Sequence, residues 1–247
     1  MKALGIIPAR YASQRFPGKP LVKIDGLSMI QRVVQQAQKA ASLQRICVAT
    51  DDERIFQHVQ SFGGTVFMTK DNHLSGTDRC AEVAKHFPDV ETVINIQGDE
   101  PFIVPSQIDQ LVHALDTDTT VNIMTLAKKI DNSADLFSPN IVKVVYNKQN
   151  LVHYFSRQPI PHVRGMAREN WLQRTAFYKH IGLYGFRRNT LLEITQLPPS
   201  PLEKVESLEQ LRWLENGHSI GVRETTLETV GIDTPEDLEK IQNRLII

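Results

Sequence analysis

The chain has 247 residues, of which 41% are hydrophobic and 23% charged, and its 28 basic and 28 acidic side chains give a formal net charge of zero. This length allows one large domain, and the balanced charge argues against nucleic acid or a membrane surface as a partner. Two cysteines are too few for a disulfide framework or a thiolate metal site. No signal peptide precedes the first predicted strand and no apolar run approaches a membrane span, so we expect a cytoplasmic protein.

Strands and helices alternate along the first half of the chain. Short apolar runs predict strands at residues 3–8, 45–50, 65–68, 92–97 and 121–127. Apolar residues spaced three and four apart predict helices over residues 29–41, 53–62, 77–87 and 108–115, the first three with the N-caps Ser28, Asp52 and Thr77 or Asp78. The alternation predicts a three-layer α/β fold, in which helices cover both faces of a mostly parallel sheet.

The alternation stops near residue 139. Residues 141–156 predict a hairpin with its turn at 147–150, and the polar residues 158–173 predict an irregular segment. The rest of the chain predicts strands at residues 180–186 and 219–224, a continuous helix over 200–217, and a short helix after Thr234-Pro235. We interpret the whole chain, residues 1–247, as one domain with a hairpin-and-loop insertion at roughly 139–180.

Three polar loops follow predicted strands, at the edge of a parallel sheet where ligands bind. The loops are "ARYASQRFPGKP", with Arg10, Arg15 and Lys19; "QGDEP", with Asp99; and "GIDTPED", with Asp233. The cations and the flexible backbone at Gly18 suit a polyphosphate, although the chain contains neither a Walker motif nor a G-x-G-x-x-G motif.

Each of these features also has a purely structural interpretation. Scattered cations are common in solvated loops, and an aspartate after a strand often caps the next helix. The combination favours a site, because two carboxylates beside bound phosphates are a typical way to hold Mg²⁺. We therefore predict Asp99 and Asp233 as metal ligands.

The motifs "IPARYASQRFPGKPL", "SGTDR", "QGDEP", "YKHIGLYGFR", "PLEKVESLEQLR" and "GIDTPEDL" occur in this order over nearly the whole chain. Together they resemble the bacterial 3-deoxy-manno-octulosonate (Kdo) cytidylyltransferases, also called CMP-Kdo synthetases. The first and third motifs also occur in related enzymes that act on sialic acid, whereas "YKHIG" and "LEQLR" favour Kdo. The resemblance implies a Rossmann-like nucleotidyltransferase fold and a Mg²⁺-dependent transfer of CMP from CTP to Kdo for lipopolysaccharide biosynthesis.

The resemblance also implies roles for individual residues. Arg10, Lys19 and Asp99 would be catalytic. The predicted CTP-binding residues are Arg10, Arg15, Lys19, His73, Ser75, Gly76 and Arg79. The predicted sugar-binding residues are Gln97, Arg157, His180, Glu209 and Gln210, with Arg157 facing the sugar carboxylate. Glu206, Glu209 and Gln210 are spaced three and four apart on the predicted helix, so we expect them to share one face. Two alternatives stay open, because His180 could be a core histidine and the face that carries Glu206 could be simply solvated.

Two other functions are compatible with the same motifs. One is a cytidylyltransferase for another acid sugar, such as sialic acid or 8-amino-Kdo, and the other is a nucleotide sensor without catalysis. Retention of Lys19, Asp99 and Asp233 argues against the sensor.

We also expect a homodimer formed through the insertion. An isolated hairpin is marginally stable, and twofold dimers are the commonest soluble oligomers. The resemblance implies pairing through such a segment, for which we expect exposed apolar side chains at Val144, Tyr154, Phe155 and Trp171.

Overall fold

A computed structural model describes residues 2–12, 16–229 and 231–245, with the backbone alone for 242–245. The strands in these ranges are β1 (Ala3–Ala9), β2 (Lys23–Ile24), β3 (Leu27–Ser28), β4 (Leu43–Thr50), β5 (Val66–Met68), β6 (Thr92–Asn95), β7 (Ile123–Lys129), β8 (Lys143–Tyr146), β9 (Val152–Ser156), β10 (Tyr178–Arg187) and β11 (Ile220–Glu224). The helices are α1 (Met29–Ala37), α2 (Glu53–Ser61), α3 (Gly76–Ala84), α4 (Pro105–Thr117), α5 (Ser133–Phe137), α6 (Trp171–Arg174), α7 (Arg188–Ile194), α8 (Pro201–Glu206), α9 (Gln210–Glu215) and α10 (Pro235–Leu245).

One large sheet organises the fold, with the strand order β11-β7-β10-β6-β1-β4-β5. Neighbours along this order are parallel except at β10, which runs antiparallel to both β6 and β7. β8 pairs with β10, and β9 pairs with β8. Two large apolar clusters lie on the two faces of the sheet. The predicted mostly parallel α/β fold is confirmed.

The sequence explains the central elements locally. β1 is an apolar run whose residues are almost all buried, and it lies between β4 and β6 in the middle of the sheet. α1 begins where the Ser28 hydroxyl accepts a hydrogen bond from the backbone N–H of Gln31. Its apolar stripe is fully buried, as an amphipathic helix on a sheet requires. These predicted elements are confirmed, although α1 ends at Ala37 instead of residue 41.

Two predicted helices differ in the structure. The N-cap of α3 is Ser75, not Thr77 or Asp78, because Ser75 and Asp78 form a reciprocal capping box. The predicted continuous helix over 200–217 is wrong, since it breaks into α8 and α9 at Ser207, which has φ 52°. The turn is closed by the N–H of Leu208, which bonds the carbonyl of Glu203 and places the Leu208 side chain in the core.

The insertion packs against its own chain. Val144, Phe155 and Trp171 are buried and Tyr154 is partly buried, so the expected exposure of these side chains is wrong. The physical reason is that β8 joins the main sheet through β10, so the inward face of the hairpin enters the core of the domain. Trp171 is buried in a separate cluster with Ile130, Leu136 and Phe177. Among the described residues, no helix combines the length and the apolar character needed to cross a membrane.

Candidate active site

A cleft of about 250 Å³ opens at the carboxyl ends of β1 and β6 and at the amino end of α3. This is the edge at which the polar loops were predicted to meet. The predicted site residues that line it are Arg10, Lys19, His73, Ser75, Gly76, Arg79, Gln97, Asp99 and Asp233. Arg15 lies outside the described residues.

Two glycines allow the backbone to come close around the cleft. A Cβ on Gly98 would lie 2.6 Å from the carbonyl oxygen of Pro8, so only glycine lets the loop after β6 approach the end of β1. Gly18 has φ 73° and donates its N–H to the carbonyl of Tyr11 at 2.9 Å, which closes the loop after β1 just before Lys19. The role of Gly98 was not predicted, because it depends on a contact between two strands.

The ammonium group of Lys19 lies between the two predicted metal ligands. It is 2.8 Å from a carboxylate oxygen of Asp99 and 3.1 Å from one of Asp233. The backbone N–H of Ile232 donates to the carbonyl of Asp99 at 2.9 Å and so fixes the two acidic segments beside each other. Residues from three distant parts of the chain therefore form one charged cluster.

This cluster fits a divalent cation. The ammonium group of Lys19 binds both Asp99 and Asp233, so the two carboxylates are placed to share one cation. Mg²⁺ takes few protein ligands and completes its coordination with water and phosphate oxygens, and two carboxylates in an open cleft suit that preference. The residues present thus fit the predicted metal.

Glu100 is a further acidic group that the sequence did not single out. Burial, together with the neighbouring charges of Asp99 and Asp233, raises its pKa to about 7, and it accepts a hydrogen bond from the Thr229 hydroxyl at 3.0 Å. The motif "QGDEP" contains Glu100, but the sequence alone could not show that this side chain is buried.

The amino end of α3 and the loop before it are held by side-chain contacts. The Thr77 hydroxyl donates to the Glu209 carboxylate at 2.7 Å, and burial raises the pKa of Glu209. The Arg79 guanidinium is buried and donates to Asp51 at 2.8 Å. His73 contacts the carboxylate of Glu82 through Nε2. These bonds fix the backbone of the loop at the cleft.

Comparison with known proteins assigns the chain to a family. The family described as "Cytidylyltransferase" matches residues 4–220. The chain belongs to the cytidylyltransferase family. The enzyme is therefore a nucleotidyltransferase.

Individual relatives of this cytidylyltransferase are similar over nearly their whole length. The 3-deoxy-manno-octulosonate cytidylyltransferase of Parabacteroides distasonis is 55% identical, over 97% of this chain and 96% of the relative. The enzyme of the same name from Cytophaga hutchinsonii is 52% identical, over 96% and 95%. A solved CMP:2-keto-3-deoxy-manno-octonic acid synthetase complexed with CTP is 42% identical, with a TM-score of 0.92, and covers 100% of this chain and 99% of that one.

Of the five predicted sugar-binding residues of the cytidylyltransferase, Gln97 lines the cleft, whereas Arg157, His180, Glu209 and Gln210 do not. The side-chain amide of Gln97 donates to the carbonyl of Gly182 at 3.0 Å. His180 lies near that carbonyl in β10, with its ring against Phe155. The other predicted sugar ligands, Glu209 and Gln210, lie at the start of α9.

Arg157 is not among the residues that line the cleft. Its guanidinium donates to backbone carbonyls of Glu206, Pro139 and Ser207, at 2.7, 3.0 and 3.3 Å respectively. In this arrangement Arg157 joins the insertion to the end of α8, and a role at the sugar carboxylate stays a prediction.

The expected common face of Glu206, Glu209 and Gln210 is wrong, because α8 ends between them. The Glu206 carboxylate accepts hydrogen bonds from the Ser156 hydroxyl at 2.7 Å and from the backbone N–H of Arg157 at 2.9 Å. Glu206 therefore stabilises the insertion, whereas Glu209 faces the loop before α3.

His180 should contribute to the loss of stability in acid. Burial lowers its pKa from 6.5 to about 3, so between these values the unfolded chain binds more protons than the folded one. The stabilising contribution is present above pH 6.5 and is lost as the pH falls toward 3. We expect the free energy of unfolding of His180→Asn to fall less steeply over this range in urea titrations, by at most about 1.4 kcal/mol per pH unit.

The exposed His153 provides the matched control. His153→Asn should follow the wild-type pH dependence. An unchanged slope in His180→Asn would contradict the assignment of a buried, neutral imidazole.

Proposed function

We propose that the protein transfers CMP from CTP to the anomeric hydroxyl of Kdo and releases pyrophosphate. The observation that carries this proposal is the meeting of Lys19, Asp99 and Asp233 with the loop before α3 in one cleft. The names of the two relatives that are 52% and 55% identical favour Kdo over sialic acid or another acid sugar.

The chemistry that this cleft supports is phosphoryl transfer by positioning and charge stabilisation. The sugar hydroxyl loses its proton and forms a bond to the α-phosphorus of CTP, while the bond from that phosphorus to the oxygen of the departing pyrophosphate breaks. Arg10 and Lys19 lie where they can stabilise negative charge on the triphosphate and the leaving group. Ser75, Gly76, His73 and Arg79 would bind the nucleotide, as would Arg15.

We assign the metal-binding role to Asp99 and Asp233. When bound, Mg²⁺ would add positive charge beside the phosphate oxygens. Lys19 contacts the same two carboxylates, so a bound Mg²⁺ would compete with its ammonium group for them.

The acid sugar would bind beside the cleft residue Gln97 and extend toward His180, Glu209 and Gln210, which lie outside the cleft lining. These side chains offer amide, carboxylate and imidazole groups for its hydroxyls. We place the reaction in the cytoplasm, as a step that supplies lipopolysaccharide biosynthesis, with CTP and Kdo as the small-molecule partners and neither nucleic acid nor membrane.

The direct test is pyrophosphate release from CTP with a panel of acid sugars. We expect release with Kdo and Mg²⁺ together and none when either is omitted. Release with sialic acid and not with Kdo would refute the proposal, and binding of CTP without release with any acid sugar would favour a nucleotide sensor.

We also propose that the enzyme is a homodimer. In addition to the family resemblance, β9 pairs only with β8 among the described strands. The bridge from Leu151 to Gly221 of β11 lies just before β9 begins, so the rest of the other edge of β9 could accept a strand from a second copy. Light scattering should give twice the chain mass of 28.0 kDa. A fully active monomer would contradict this proposal.

A further inference from the structure

Thr125 of β7 has a buried hydroxyl at an irregular point of the sheet. The register between β7 and β10 shifts between Ile181 and Tyr184, and the Thr125 side chain faces that irregularity. Its Oγ1 is 2.9 Å from the carbonyl oxygen of Leu183, 3.2 Å from that of Ile181, and 2.9 Å from Nε2 of His180. The hydroxyl thus has three polar neighbours and one proton.

The direction of these hydrogen bonds follows from counting protons. Carbonyl oxygens only accept, so if the Thr125 proton pointed to His180, the hydroxyl lone pairs would face two carbonyl oxygens at about 3 Å. The hydroxyl therefore donates to a carbonyl, of which Leu183 is the nearer. Its oxygen then accepts the N–H of His180, which places the imidazole proton on Nε2.

The other nitrogen of His180, Nδ1, carries a lone pair in this tautomer. Among the described residues Nδ1 has no hydrogen-bond partner. The ring is partly buried, and it lies near Gly182, whose carbonyl holds the cleft residue Gln97. A neutral ring nitrogen with a lone pair accepts an O–H group, and it offers neither charge nor proton to a carboxylate.

We propose that Thr125 is a positioning residue, which holds His180 in the Nε2–H tautomer so that Nδ1 accepts a hydrogen bond from a hydroxyl of the acid sugar. This inference rests on the proposed function, because it takes the sugar as the ligand. It gives His180 a defined part in specificity. The imidazole selects a hydroxyl group and leaves the sugar carboxylate to be bound by other groups.

The test compares Thr125→Val, which keeps the shape and removes the hydroxyl, with Thr125→Ser, which keeps the hydroxyl. In ¹³C- and ¹⁵N-labelled protein, the ring shifts of His180, assigned by their loss in His180→Asn, report the tautomer. We expect the Nε2–H form in the wild type and in Thr125→Ser, and a mixture of tautomers in Thr125→Val.

The same variants should differ in kinetics. Loss of one hydrogen bond to a neutral acceptor corresponds to roughly a three- to tenfold rise in KM for the acid sugar. We expect this rise in Thr125→Val with the KM for CTP unchanged, and near wild-type values in Thr125→Ser.

The possible failures are distinguishable. An active wild type with His180 in the Nδ1–H form would overturn the inference even if Thr125→Val does not fold. Equal increases in both KM values in a folded Thr125→Val would also overturn it, since they would indicate a general structural effect. A wild-type enzyme that does not turn over Kdo would refute the proposed function instead, whatever the tautomer.

Discussion

Replacing Asp99 or Asp233 with asparagine should lower kcat by on the order of 10²- to 10³-fold, because each change removes one charge from the pair that fits Mg²⁺. The fold should be retained. In either variant Lys19 keeps its ion pair with the remaining carboxylate, so its ammonium group is not left without a partner. Steady-state pyrophosphate release at saturating Mg²⁺ measures the effect.

Asp89 offers a matched control for this prediction. It forms ion pairs with Lys2 and Arg45 near the amino ends of the central strands, far from the cleft. Asp89→Asn should retain wild-type kcat. Near wild-type activity in Asp99→Asn or Asp233→Asn would show that the carboxylate concerned is not a metal ligand.

Replacing Lys19 with alanine should slow the reaction and tighten the binding of a metal ion. The chemical step should slow by on the order of 10²-fold, with a smaller change in KM for CTP, if the ammonium meets charge that develops on the leaving pyrophosphate. Binding of Mn²⁺ to the enzyme without nucleotide should tighten roughly tenfold, because Lys19 no longer neutralises the two carboxylates.

Electron paramagnetic resonance of free Mn²⁺ measures the second effect without any turnover. Lys23→Ala, at an exposed position of β2, serves as the control for both measurements. Unchanged Mn²⁺ affinity in Lys19→Ala would show that the ammonium does not compete with a metal. A raised KM for CTP with unchanged kcat would limit Lys19 to binding the nucleotide.

Local chemistry explains why much of the fold could be predicted. The apolar run of β1 and the Ser28 cap of α1 are decided by residues close together in the chain. The meeting of Lys19 and Asp99 was also predictable, because they follow β1 and β6 and the carboxyl ends of parallel strands share an edge. Asp233 is different, because β11 ends at Glu224 and the segment after it reaches the cleft through the bond from Ile232 to Asp99.

Long-range contacts determine what the sequence did not reveal. The break at Ser207 contradicts a well-capped helical pattern, and it is stabilised by packing of Leu208 and by the distant bond between Glu209 and Thr77. The burial of Val144 depends on where β8 joins the sheet. Thr125 has no sequence motif around it, and only its three neighbours in space give it a role.

The last strand of the sheet ends at Glu224, before the chain has supplied Asp233. Residues 231–245 return to the cleft, where Ile232 and Ile241 pack against Ile24 and Met29 next to the Lys19 segment. A protease cut within residues 225–229 would therefore leave every described strand in place and break the covalent link between the sheet and one of the two carboxylates. During synthesis on the ribosome, likewise, all the described strands are made before Asp233, so the sheet precedes the complete charged cluster of the cleft.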